Sequence, residues 1–148
     1  MSDAIIVDNT GNQAHIDFDV SKIFIFNNRY EKGTFLNASG GIKSFVPGTL
    51  LGKITASGKI IPLVSGAADG SNIPVGILLT EIKDLADAGE ESVNYCIAGD
   101  VAEEKVVLDA GDNLGTVISG RTINDRIIAD TMGIKLVASD ELTGFDNQ

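Results

Sequence analysis

Leu50-Leu51-Gly52-Lys53-Ile54-Thr55-Ala56-Ser57-Gly58-Lys59-Ile60-Ile61-Pro62-Leu63 is the stretch on which the fold turns. Two short apolar runs, leucine-rich and then isoleucine-rich, flank Ala56-Ser57-Gly58. The pattern predicts a β-hairpin with a three-residue turn, in which Gly58 supplies the positive φ. Its opening also invites a phosphate-loop reading, because Gly48-Thr49-Leu50-Leu51-Gly52-Lys53 nearly spells one. That reading fails because the loop is one residue short. It fails again because Ile54 stands where a Ser or Thr hydroxyl would hold Mg²⁺.

Further strands follow on both sides of this hairpin. Upstream, Ser21-Lys22-Ile23-Phe24-Ile25-Phe26 reads as a strand. Downstream, Ile73-Pro74-Val75-Gly76-Ile77-Leu78-Leu79 is apolar nearly throughout and should be buried. Pro74 gives no ladder hydrogen bond, so it belongs at a strand start or on an edge. Val93-Asn94-Tyr95-Cys96-Ile97-Ala98 and Glu104-Lys105-Val106-Val107-Leu108 read as two more strands, separated by a turn at Gly99-Asp100. Residues 65–72 and 84–92 read as loops, the second also compatible with a frayed helical turn. Gly33-Thr34-Phe35-Leu36 and Gly48-Thr49-Leu50-Leu51 echo one another, each followed by a Ser-Gly pair. They suggest two similar hairpins.

One helix is expected over 122–132. Thr122 can cap it with Asp125 three residues on, Ile123, Ile127, Ala129 and Met132 give it an apolar face, and Gly133 suits the position after its end. Ile134-Lys135-Leu136-Val137 then returns as a strand. The expected class is mainly β (α+β), one small β-rich domain over 21–148 with a short C-terminal helix and a polar tail from residue 139. Residues 1–20 differ. Ile5, Ile6 and Val7 form an apolar patch, and His15-Ile16-Asp17-Phe18-Asp19 alternates. The pattern admits an edge strand of the same domain, or an extended arm that becomes a strand only against a partner.

Composition narrows the function. The 148 residues carry 11 basic against 21 acidic side chains, a net charge of −10. Such a chain releases few counterions from a phosphate backbone and is repelled by anionic lipid, so neither nucleic acid nor a membrane is an expected partner. The start lacks the features of a signal peptide, and the expectation is a soluble protein of a reducing cytoplasm. Chemistry is thin as well. His15 is the sole histidine and Cys96 the sole cysteine, too few to close a zinc site, so no metal and no cofactor are expected. His15 is expected to be a surface or interface residue and Cys96 a buried, inert thiol. Paired carboxylates such as Glu90-Glu91 and Glu103-Glu104 read as solvated edges, and Trp is absent where a sugar cleft would want an aromatic platform. Asn37-Ala38-Ser39 is a glycosylation sequon and reads as coincidence.

The order of these motifs carries a resemblance. Pro47 through Lys59, then the Asp69-Gly70 loop, Val75-Gly76-Ile77-Leu78, an acidic loop and Ala98-Gly99-Asp100-Val101 resemble the lambda-type head decoration proteins of tailed bacteriophages. The likeness covers residues 48–108, and the helix with Gly133-Ile134 resembles the family's C-terminal end. The resemblance implies a β-clip-like domain that assembles as a homotrimer and has no active site. It implies a major capsid protein as partner and a place on the outer virion surface, at local threefold positions of the expanded head, after synthesis in a bacterial host's cytoplasm. There the trimers would reinforce the shell against packaged DNA. The arm would dock through Ile5, Ile6, Val7, Ile16 and Phe18. The competing readings are a small acidic β-barrel hydrolase or lyase working through carboxylates, and a tail-associated phage structural domain.

Overall fold

The computed structural model describes residues 20–108 and 111–138. Ten strands and one helix follow in order: β1 (Phe24–Leu36), β2 (Lys43–Phe45), β3 (Leu50–Lys53), β4 (Ile60–Pro62), β5 (Pro74–Leu78), β6 (Ile82–Leu85), β7 (Glu90–Ala102), β8 (Val117–Ile118), β9 (Arg121–Thr122), α1 (Ile123–Asp130) and β10 (Ile134–Val137). The main sheet runs β1-β4-β3-β5-β7-β10, and β1 also pairs with β7. That extra pairing closes five strands into a small barrel and leaves β10 as a parallel appendage on β7. The domain is mainly β with one short helix, as the residue pattern predicts.

The consecutive apolar runs have a physical cause. Neighbouring residues on a strand point to opposite faces. Leu50, Ile77 and Cys96 enter one core with Ile123, Ile127 and Ile134, which brings α1 and β10 onto that face. Leu51, Leu78, Tyr95 and Ile97 enter a second core with Phe35, Phe45, Ile60 and Ile82. The strands β3, β5 and β7 therefore bury both faces, and alternation gives way to unbroken hydrophobic stretches. The Tyr95 ring needs room in the second core. A Cβ at Gly33 would come within 3.0 Å of its Cε1, and one at Gly76 within 2.5 Å of its Cδ2.

The hairpin at residues 50–63 forms as expected, with β3 antiparallel to β4 and Gly58 at φ 74°. The Gly58 N–H donates to the Ile54 carbonyl, and the Ile54 N–H to that of Lys59. Leu50–Lys53 is a strand, so no phosphate cradle exists there. Pro74 opens β5, where its missing N–H costs nothing. The helix starts as predicted, because the Asp125 N–H donates to the Thr122 side chain at 3.2 Å.

Six expectations need correction. Residues 20–22 form a 3-10 turn, and β1 begins at Phe24 and runs on to Leu36. Gly33-Thr34-Phe35-Leu36 therefore ends a strand instead of opening a hairpin, and the echo with residues 48–51 carries no structural meaning. Gly99-Asp100 is no turn, since β7 passes straight through it. Glu103–Lys105 is a 3-10 turn, with only Val107 bridged beyond it, to Thr49. Residues 84–92 are not one loop. Asp84 and Leu85 belong to β6, Glu90 opens β7, and the connection between them turns at Ala88, φ 60°. Finally, α1 stops at Asp130, and Met132 lies outside it and exposed.

Candidate functional site

The residues expected to touch a partner, Ile5, Ile6, Val7, Ile16 and Phe18, lie outside the described residues, and so does His15. What the structure places is the root of that segment. Ile23 and Phe24 are buried, the Ile23 N–H donates to the Val20 carbonyl at 3.1 Å, and the Ala102 N–H donates to the Ile23 carbonyl at 2.8 Å.

Several polar groups of the body hold structural contacts. Cys96 is buried in β7, and desolvation raises its thiol pKa, opposed by a hydrogen bond from Asn28 and two backbone contacts. A thiol held protonated is a poor nucleophile. The Tyr95 hydroxyl donates to the Glu31 carboxylate at 3.1 Å. Burial, with that acceptor and its charge, pushes the Tyr95 pKa up to about 12. Asp69 accepts from the Ser71 hydroxyl and backbone N–H, which holds its carboxyl below the usual value. Lys59 pairs with Glu90 at 2.6 Å and Arg126 with Asp130 at 3.1 Å. Among the described residues no three His, Cys, Asp or Glu side chains gather as metal ligands would. No helix there is long and apolar enough to cross a membrane.

Asn37 was passed over as a sequon and has a structural role. It is 0% exposed. Its Nδ2 donates to the carbonyls of Gly41, Leu85 and Ala86 at 2.8, 2.9 and 3.2 Å, while its Oδ1 accepts from the Ser39 N–H and hydroxyl. One amide thereby ties the end of β1 to the β6–β7 connection. The sequence signal for this was weak, since an Asx turn two residues before a Ser is common.

What the body does offer is apolar surface. Phe26, Ile128 and Met132 are 69%, 54% and 68% exposed. Met132 is tied by its N–H to the Ile97 carbonyl, Gly99 by its N–H to the Gly133 carbonyl, and Phe26 stands opposite Asp100. Phe26 and Met132 therefore flank the same stretch of β7, from its two sides, and Ile128 lies one helical turn before Met132. A separate furrow is formed by two adjoining hollows of about 100 and 130 Å³ that share Lys43, Phe45 and Pro62. Val64 lines one and Val107 the other. The Lys43 ammonium sits 5.5 Å from the Phe45 ring centroid.

A closed barrel that leaves large apolar side chains in solvent suits a structural or binding module. The family model for the bacteriophage lambda head decoration protein D matches residues 26–116. That span takes in all five barrel strands but for the first two residues of β1, starts well before residue 48 and stops short of α1. The chain belongs to this head decoration family, a structural capsid family and not an enzyme family. It is a phage head component associated with the capsid. No curated protein matches the chain.

Proposed function

We propose that the protein binds the outer surface of the expanded phage head as homotrimers at local threefold positions and stiffens the shell against packaged DNA. The family match over the whole barrel is the observation that carries this reading. The net charge of −10 supports an outer position, because the protein is repelled by the packaged polyanion. The major capsid protein is the partner, and residues 1–20 are the docking arm of a single domain over 21–148.

In this reading Ile5, Ile6 and Val7 add a strand to a capsid-protein edge, with Ile16 and Phe18 continuing the contact toward the body. Burial of each such side chain contributes roughly 1.5–3 kcal/mol. Ordering the backbone costs about 1–2 kcal/mol per residue, so one arm gains little. Three arms on one rigid trimer gain by avidity what a single arm lacks. Co-sedimentation with expanded heads tests the proposal. The chain lacking residues 1–10 should keep its oligomeric state and Tm yet stay in the supernatant. Binding equal to the full chain, or an unfolded truncation, would overturn the arm's role.

A further inference from the structure

The chain contains a single Asp-Gly pair, Asp69-Gly70, and no Asn-Gly pair. Asp-Gly linkages isomerise readily, because glycine has no side chain to shield its nitrogen. In that reaction the Gly70 nitrogen attacks the Asp69 carboxyl carbon. A C–N bond forms, the nitrogen loses its proton, and a carboxyl oxygen leaves as water. Water then reopens the cyclic imide. Where it cleaves the bond between that nitrogen and the backbone carbonyl carbon, the chain continues through the side chain as isoaspartate.

The fold asks for both residues of this pair. Gly70 takes φ 102°, and a Cβ there would run into Thr55 Oγ1 and stand 2.9 Å from the Lys53 carbonyl oxygen. Asp69 Oδ1 accepts from the Ser71 N–H at 3.0 Å and from the Ser71 hydroxyl. Ser71 is fully buried, so its hydroxyl needs such an acceptor. Nor can Ser71 shift, because its carbonyl accepts from the Val64 N–H at 3.1 Å and lies against Gly52 of β3, where a Cβ would collide with it.

We infer that the contacts that call for this labile pair also keep it from isomerising, so that isoaspartate at residue 69 forms only when the loop opens. Attack requires the nitrogen over the face of the carboxyl carbon. The intervening peptide is held, since the Asp69 carbonyl accepts from the Thr55 N–H at 2.9 Å and the Gly70 carbonyl from the Ile73 N–H at 3.2 Å. Swinging the carboxyl group toward Gly70 gives up both Ser71 bonds. Those bonds also favour the ionised carboxylate, a poorer electrophile than the acid. Asp69 faces solvent, so water is at hand and the barrier is conformational. Isomerisation would insert a methylene into the main chain between these anchors. Residues 65–72 would then come away from the β3–β4 hairpin.

Ageing the full chain at neutral pH, with peptide mapping by electron-transfer fragmentation, tests the inference. Isoaspartate at residue 69 should accumulate at least about tenfold more slowly in the folded chain than in guanidinium. Equal rates overturn the inference, and this comparison needs no variant. Ser71→Ala removes one donor and should raise the folded-state rate about threefold or more. Ile127→Ala, a cavity in the first core, loosens the domain without touching the clamp. Held equally far below its own Tm, it should isomerise at the rate of the unsubstituted chain. A Ser71→Ala rate that stays unchanged, or that Ile127→Ala matches, assigns the protection to global stability and overturns the local clamp.

Discussion

The two halves of the β1–β7 ribbon are built on different terms. From Tyr30 to Leu36, β1 pairs residue for residue with β7 back from Cys96 to Glu90. From Phe24 to Tyr30 the register slips three times, Asn27 takes φ 54° and Gly99 φ 105°. The regular half holds the Phe35–Tyr95 core. The slipped half turns Phe26 outward, and Met132, on the other side of β7, is exposed too. Bulges bend a strand and re-aim its side chains, at a cost in ladder hydrogen bonds. Here the slips turn Phe26 to solvent while Phe24 and Val101, in the same half, stay in the first core, and the regular half packs the second.

The sharpest way to break that comparison is Phe35→Ala. Phe35 is fully buried, with its ring 4.6 Å from that of Phe45. The cavity should cost about 3–5 kcal/mol, read as a fall in the denaturant midpoint at constant slope. A loss below 1 kcal/mol would show that the regular half is not where stability resides.

Gly99→Ala probes the slipped half. Its Cβ would meet the Asn27 carbonyl oxygen at 2.6 Å, in a backbone conformation that L-residues avoid. We expect about 2–3 kcal/mol of destabilisation. If the substitution proves neutral, the bulge is a soft feature and the contrast between halves dissolves.

The smallest effect is a pH dependence. Tyr95 titrates at about 12 in the folded protein, against about 10 in an unfolded chain. Between those values the native state holds the proton that the unfolded state has released. The stabilisation is complete below about pH 10 and disappears as the pH rises through 12. Tyr95→Phe should cost about 1 kcal/mol at neutral pH, through the lost hydrogen bond to Glu31. It should also flatten the decline of Tm between pH 10 and 12. Tyr30, raised by burial and by Cys96, leaves a residual slope. An unchanged alkaline limb in the variant would remove Tyr95 from the account.

The same division explains what the sequence showed. The hairpin was legible because its glycine and its apolar flanks agree, and the helix because Thr122 and Asp125 mark its start. The second half of β1 was not legible. Asn27-Asn28-Arg29-Tyr30-Glu31-Lys32 is polar and turn-like, and only its long-range pairing with β7 makes it a strand. Gly99-Asp100 misled for the converse reason, since a glycine inside a bulged ladder has the same local signature as one in a turn. The exposure of Met132 was invisible because it counted toward the buried face of a helix that ends two residues before it. The arm residues Ile5, Ile6, Val7, Ile16 and Phe18 stand as the sequence reading left them, as a proposal.

Asn37 has a bearing on how the protein can be manufactured. In a eukaryotic secretory pathway, the Asn37-Ala38-Ser39 sequon is offered to the glycosylation machinery while the chain is still unfolded. A glycan on Nδ2 could not enter a site with no solvent exposure, and it would take the hydrogens that hold Gly41, Leu85 and Ala86. The end of β1 would then stay unfastened from the connection that leads into β7. A fold assembled in a compartment without that chemistry is free to spend a sequon as a rivet. Moving its gene into a secreting host converts the same three residues into a folding block.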